Sequence, residues 1–319
     1  MAEPGIEDVV AARERIRNHV RRTPVIAWTT PGGHDVTLKL EQLQLGGSFK
    51  ARGAFNRLLT AAPGELRAGV VTASGGNHGL GVAVAASRCE VPATVFLPVG
   101  APVSTERRLE RLGCVVVRGG AAWDDAWRAA QEHAAREGAL LVHPFEDPAV
   151  IAGQGTLALE LLEQIPAPDL VIVAIGGGGL ISGMGLVLEA RSPGTRLVGV
   201  EPTGAPSMLR SREAGHVVTL ERVETIAGTL APRAVGPTTL ALASRTVDEI
   251  VLVTDEEMLS AVDLLWDELR LLVEPAGAAA LAALVSGKID TKGARSIIVL
   301  VCGANLDAQL ASRAVTGSG

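Results

Sequence analysis

Short runs of consecutive apolar residues, rich in valine and isoleucine, alternate along the chain with longer, alanine-rich amphipathic stretches. The runs fall at 70–72, 93–97, 114–117, 139–142, 170–175, 197–200, 249–253 and 297–301. Each is apolar on successive positions rather than on alternate ones, which is the pattern of strands covered on both faces. Helical spacing occupies 6–20, 78–88, 105–112, 122–136, 155–163, 256–271 and 275–285. Thr254 followed by Glu257 reads as a capping box, and Pro275 suits the first turn of a helix. Strand–helix alternation of this kind predicts an α/β fold with parallel sheets. No repeat period or low-complexity linker interrupts it, so a second domain has to arise where the chain leaves one sheet and later returns. The close succession of strand–helix units marks that excursion, giving a large domain of residues 1–68 and 149–319 and a small one of 69–148.

Composition narrows the class. At 319 residues, 47% hydrophobic and 20% charged, the chain can bury a sizeable core. A net charge of −6 with aromatics at 3% offers no basic, aromatic-interleaved surface, so nucleic acid is not expected as a partner. No apolar run reaches the length of a membrane span, and the acidic start over residues 1–8 lacks the basic and apolar regions of a signal peptide. Three cysteines, Cys89, Cys114 and Cys302, form neither an even framework nor a CxxC pair, which suits a reducing compartment. A cytoplasmic protein is expected. The six histidines show no metal-ligand spacing, and no metal site is expected.

The chemistry-bearing residues lie in four separated segments. Lys50 follows Gly46, Gly47, Ser48 and Phe49, and a lysine amine held in a partly desolvated pocket is a nucleophile toward carbonyls. The flanking glycines let backbone approach a bound group, and Phe49 offers a flat apolar face. After the run at 70–72 come Ser74, Gly75, Gly76, Asn77 and His78 at a helix start, where backbone amides can hold a carboxylate or phosphate. A tight strand-to-helix turn with an asparagine cap is the plainer account of the same residues. After the run at 170–175 come Gly176, Gly177, Gly178, Gly179 and Leu180, a cradle for one phosphate group or, alternatively, a flexible turn. The spacing there fits a dinucleotide fingerprint only loosely, even with Glu201 about 20 residues on, and that reading leaves Lys50 without a task. Cys302 ends the last apolar run and is followed by Gly303, which opens space for a ligand beside the sulfur.

These four segments, in this order, resemble the fold type II pyridoxal-phosphate enzymes, specifically the serine/threonine dehydratase and serine racemase branch. The resemblance runs from Thr23 to Asp307 and implies two open, mostly parallel twisted sheets covered by helices, as in the tryptophan synthase β chain. It implies pyridoxal 5'-phosphate as cofactor, Lys50 as its Schiff-base lysine and the base at the substrate α-carbon, and Phe49 flanking the ring. Asn77 is then placed at the ring oxygen, Gly176, Gly177, Gly178, Gly179 and Leu180 at the phosphate, and Cys302 at the pyridine nitrogen. Ser74, Gly75, Gly76, Asn77 and His78 take the substrate side, with the carboxylate on residues 74–77. The implied activity is α,β-elimination from L-threonine, L-serine or a related 3-hydroxy amino acid, giving a 2-oxo acid and ammonia in a homodimer. A serine racemase-like or other β-elimination or replacement enzyme is the alternative, and a catalytically idle binding relative a further one. Glu274, before Pro275, resembles a family segment near the cofactor but receives no role.

Departures from the family sharpen this. The racemases carry a proton-delivering serine where this chain has Gly75, so racemisation should be weak. Their divalent-cation site matches Glu201, Ala205 and Ser207, with Ser207 replacing a carboxylate, so a cation is not expected here. Arg233, in a divergent loop at 226–233, is either a selector of the substrate side chain or a solvated surface arginine. The chain ends soon after Asp307, so no regulatory domain and no feedback inhibition by isoleucine are expected.

Overall fold

The computed structural model describes residues 3–62, 64–306 and 312. Met1 and Asp307, both part of segments read above, lie outside them. In chain order the strands are β1 (Val25–Thr29), β2 (Asp35–Leu40), β3 (Val70–Ala73), β4 (Ala93–Leu97), β5 (Val115–Arg118), β6 (Leu140–Leu141), β7 (Leu170–Ala174), β8 (Arg196–Pro202), β9 (Glu249–Val253) and β10 (Ile297–Val301). Among the described residues they form two sheets, ordered β1-β2-β10-β7-β8-β9 and β5-β4-β3-β6. Every neighbouring pair is parallel except β1 with β2. The expected fold class, two open and mostly parallel sheets covered by helices, is the one found. β7 and β10 are buried at every position, as their unbroken apolar runs require.

The six-stranded sheet packs against the helices Pro148–Gln164, Gly179–Arg191 and Pro275–Val285 around residues such as Ile172, Met184, Leu281 and Val299. Each fully buried aliphatic side chain of this kind contributes roughly 1.5–3 kcal/mol. A second cluster, around Phe55, Leu80, Val95 and Leu109, covers the four-stranded sheet. The helix Lys50–Thr60 gives Ala51, Ala54 and Phe55 to that second cluster, and its other side lies on Pro148–Gln164. A Cβ on Gly153 would stand 2.6 Å from Gly53 Cα, so only glycine allows the two helices this approach. The helix that begins at Lys50 is therefore gripped on two sides.

Beneath it lies a buried charge cluster. Arg52 binds Glu41 with two parallel bonds, from Nε at 2.9 Å and Nη2 at 2.7 Å, and reaches Glu160 at 3.0 Å. Lys39 Nζ, fully buried, donates to Glu160 at 2.6 Å, to Gln164 at 2.7 Å and to Thr23 O at 2.8 Å. Two cations face two carboxylates. Burial alone would raise the Glu160 carboxyl, but Arg52 and Lys39 outweigh it and hold it below the usual range.

Several elements differ from the sequence reading, each for a physical reason. β2 was not expected, because Lys39 breaks its apolar run; the cluster just described is what permits a buried lysine there. The helix expected from residue 155 begins at Pro148, where Asp147 Oδ1 accepts the amides of Ala149 at 2.8 Å and Val150 at 3.2 Å. The helices Lys50–Thr60, Gly179–Arg191, Ser207–Ala214 and Pro237–Thr246 also have no clear counterpart in the sequence pattern. Glycines or short polar stretches obscure their periodicity, and burial against neighbours supplies what propensity does not. The first helix stops at Ile16 rather than at residue 20.

Candidate active site

The turn into Lys50 is pinned before the helix starts. Gly46 and Gly47 hold φ of 72° and 79°, in the left-handed region that favours glycine. Residues 47–49 then run against the end of β10. Ala304 N donates to Gly47 O at 3.0 Å, Phe49 N donates to Cys302 O at 3.2 Å, and Ser48 bridges Gly303. This places Lys50 beside the Cys302 strand end. Its Nζ donates to Pro144 O at 2.8 Å and lies 5.2 Å from the centroid of the Phe49 ring. Burial draws the amine's pKa down to about 8, against a smaller upward pull from Cys302. A lysine so held has a sizeable neutral fraction and can act as nucleophile or base.

At the end of β3, the Ser74 hydroxyl accepts Gly76 N at 3.2 Å and the chain turns into the helix Asn77–Arg88. A Cβ on Gly75 would stand 2.9 Å from Ala101 Cβ, so Ala101 fills the space that a side chain at position 75 would need. The Asn77 amide is held at both ends: Nδ2 donates to Glu274 Oε1, and Oδ1 accepts Asn305 Nδ2 at 2.6 Å. His78 is buried, with Nε2 3.2 Å from Val142 O. Burial, and then the charge of Lys50, hold it neutral.

After β7 the chain turns through Gly176, Gly177 and Gly178 into the helix Gly179–Arg191. Gly178 has φ of 89°. Side chains are excluded here by what lies behind the turn: a Cβ on Gly177 would collide with the Phe145 ring, and one on Gly178 would come within 2.5 Å of Met208. What remains is bare backbone at a helix N-terminus, whose first amides have no acceptor within the helix. Leu180 is in that first turn. The Cys302 thiol donates to Ala276 O at 3.4 Å and is buried. Burial, then the nearby Glu274, push its pKa far above the ordinary thiol range, so it stays a neutral donor.

All four segments line one cavity of about 590 Å³. Phe49, Lys50, the residues at 74–78, those at 176–180 and Cys302 are all on its wall. So is Glu274, quoted from the sequence without a task. It occupies the position before Pro275–Val285, and its carboxylate accepts from Asn77 and Thr229. Burial raises its carboxyl to about 6, with those hydrogen bonds and the charge of Arg108 pulling the other way. Asn305 and Phe145 also line the cavity and were not singled out; Asn305 was visible only as a polar residue after β10. Arg233 sits at the rim, its Nε donating to Leu220 O at 2.9 Å and its Nη1 3.7 Å from Asp124. Glu201 is turned away to cap the helix Ser207–Ala214, accepting Met208 N and Leu209 N at 2.8 Å each. Among the described residues no group of three histidine, cysteine or acidic side chains is placed to hold a metal ion, and no helix is long and apolar enough to cross a membrane.

Known proteins resemble this chain in sequence and in fold. A family model described as "Pyridoxal-phosphate dependent enzyme" matches residues 16–303. An L-threonine ammonia-lyase of Thermotoga maritima is 38% identical over 315 residues, covering 97% of this chain and 78% of that protein. A phenylserine dehydratase of Ralstonia pickettii is 39% identical over 316 residues, covering 97% and 96%. The structure of maize serine racemase superposes with a TM-score of 0.93 at 33% identity, covering 99% of this chain and 98% of that one. Matched by that family model from residue 16 to residue 303, the chain belongs to the pyridoxal-phosphate-dependent enzymes.

Proposed function

We propose that this enzyme is an ammonia-lyase for L-threonine, L-serine or a related 3-hydroxy amino acid, releasing a 2-oxo acid. The observation that carries the reading is the half-buried Lys50, its amine lowered to about 8, on the same cavity wall as the glycine turn. The residues fit pyridoxal 5'-phosphate. The turn at 176–179 is a cradle that a Cβ would spoil, and it suits the phosphate; the neutral Cys302 thiol suits an uncharged ring nitrogen. Phe49 suits the ring face and Asn77 the ring oxygen. Bound there, the cofactor supplies an electron sink for the substrate α-carbon.

The chain's own groups do the rest. Lys50 would hold the cofactor through its amine, and that same Nζ, neutral and on the cavity wall, would take the substrate α-proton. The turn at 74–77 presents Ser74 and backbone amides to the substrate carboxylate, with His78 behind it. The Cys302 thiol, turned from Ala276 O toward the cavity, would offer a hydrogen bond without a full proton, which suits elimination over transamination. Gly75 has no hydroxyl for the opposite face, which supports a one-faced lyase. The resemblance supports a homodimer with residues 69–148 as a separate small domain, and the absence of paired cysteines supports a cytoplasmic setting.

The test is 2-oxo acid release from serine, threonine and 3-substituted analogues in both enantiomers. Release from an L-3-hydroxy amino acid is expected, with interconversion of L- and D-serine at least ~100-fold slower, the scale of one missing acid–base group. Equal rates of interconversion and elimination would overturn the one-faced reading, and no release from any substrate would overturn the lyase.

The amine also sets a pH dependence. Because only neutral Lys50 captures a carbonyl, uptake of pyridoxal phosphate by the cofactor-free protein should speed up about tenfold per pH unit below its pKa. The rate should level off above about 8. Stopped-flow absorbance measures this; a rate flat across about pH 7 to 9 would show that Lys50 is not held as described.

A further inference from the structure

One polar chain on the cavity wall begins outside the groups given a task above. In the helix Val103–Arg111, Arg107 and Arg111 are exposed, whereas Arg108 turns inward and is half-buried. Its Nη1 donates to Asn305 Oδ1 at 2.6 Å. Asn305 Nδ2 donates onward to Asn77 Oδ1 at 2.6 Å and to Gly46 O at 2.8 Å. Asn77 Nδ2 then donates to Glu274. The chain thus ties a helix beside the four-stranded sheet to the end of β10, to the turn before Lys50 and to the cap of Pro275–Val285. Gly47 makes room for it, since a Cβ there would stand 2.7 Å from Asn305 Oδ1.

The direction of the chain is set by chemistry. Arginine carries only donors, and an amide carries one acceptor end and one donor end. Arg108 therefore holds Asn305 with its oxygen outward and its NH2 inward. Asn305 in turn holds the Asn77 oxygen toward itself, which leaves both Asn77 hydrogens on the other side. One is given to Glu274, and the second is free for a ligand in the cavity. We infer that Arg108 is a positioning residue that acts through Asn305 to fix Asn77 as a hydrogen-bond donor toward the cofactor. It also links that donor to the seating of the helix Val103–Arg111 against the end of β10. This rests on reading the cavity as a pyridoxal-phosphate site.

The test separates direction from mere anchorage. Cofactor-free wild type, Arg108→Met, Arg108→Lys and Asn305→Asp are titrated with pyridoxal phosphate, following tryptophan fluorescence and visible absorbance. Thermal midpoints of the cofactor-free proteins are recorded beside them. Arg108→Met is expected to raise the dissociation constant about 5- to 20-fold, the effect of losing one partner in a buried network. Arg108→Lys keeps a donor and should stay within about 3-fold of wild type. Asn305→Asp is the decisive variant: it still pairs with Arg108 but cannot donate to Asn77. It should lose at least about 10-fold in affinity, and adding Arg108→Met to it should cost little more. Wild-type affinity and spectrum in Arg108→Met, or in Asn305→Asp, would overturn the inference, as would full additivity in the double variant. Should Arg108→Met fail to fold, Asn305→Asp and Arg108→Lys decide it by the same criteria. A wild type that takes up no pyridoxal phosphate would instead overturn the cofactor site itself, and this inference with it.

Discussion

Lys50→Ala should lower turnover of the 3-hydroxy amino acid substrate by at least about 1,000-fold, since it removes both the amine that captures the carbonyl and the base at the α-carbon. The fold should survive. The Lys50 Cβ lies against Gly81, where an added Cβ would stand 3.0 Å away, and alanine keeps that contact. The Pro144 carbonyl loses its donor, at roughly 1–3 kcal/mol. Against this, the cost of burying an amine whose pKa is already pulled to about 8 disappears. The check is turnover together with the visible absorbance gained on adding pyridoxal phosphate, with the thermal midpoint as control. Partial recovery of turnover by a small primary amine would identify the missing group as the amine itself. A variant that keeps wild-type turnover would remove Lys50 from the mechanism.

Arg52→Met should have the largest effect on stability. Arg52 is fully buried and holds two carboxylates, Glu41 through two bonds and Glu160 through one. Without it, two buried carboxylates share only Lys39. Removing one partner from a buried ion cluster costs about 3–5 kcal/mol, because two carboxylates are left without water and with one cation between them. Arg52→Lys should recover only part of this, since an ammonium cannot reproduce the guanidinium's parallel bonds to Glu41. Denaturant unfolding measures both, and an unchanged midpoint for Arg52→Met would show that the cluster does not stabilise the fold. Arg52→Met combined with Glu41→Gln should regain stability over Arg52→Met alone.

The parts legible in the sequence are those decided by neighbours in the chain. β7 and β10 announce themselves because burial on both faces leaves only apolar residues in the run. Lys50, Asn77, the glycine turn and Cys302 stand out because each sits at the end of such a run or in a short segment of unusual composition. What stayed hidden depends on partners far along the chain. Lys39 looks wrong for a strand until Glu160, 121 residues away, is beside it. Glu274 acquires its place from Asn77, 197 residues distant, and Arg108 from Asn305 across a similar span. Nothing local distinguishes Arg108 from the exposed arginines on either side of it.

The two residues separated by Ala51 also differ in what their loss would leave behind. A descendant of this chain that drifted to alanine at position 50 would remain a folded protein with an open cavity, ready to serve as a sensor or a subunit. One that lost Arg52 would keep the lysine but lose stability unless a change at Glu41 or Glu160 offset the unpaired charge. A change at position 50 would therefore touch the chemistry and spare the fold, whereas a change at position 52 would touch the fold.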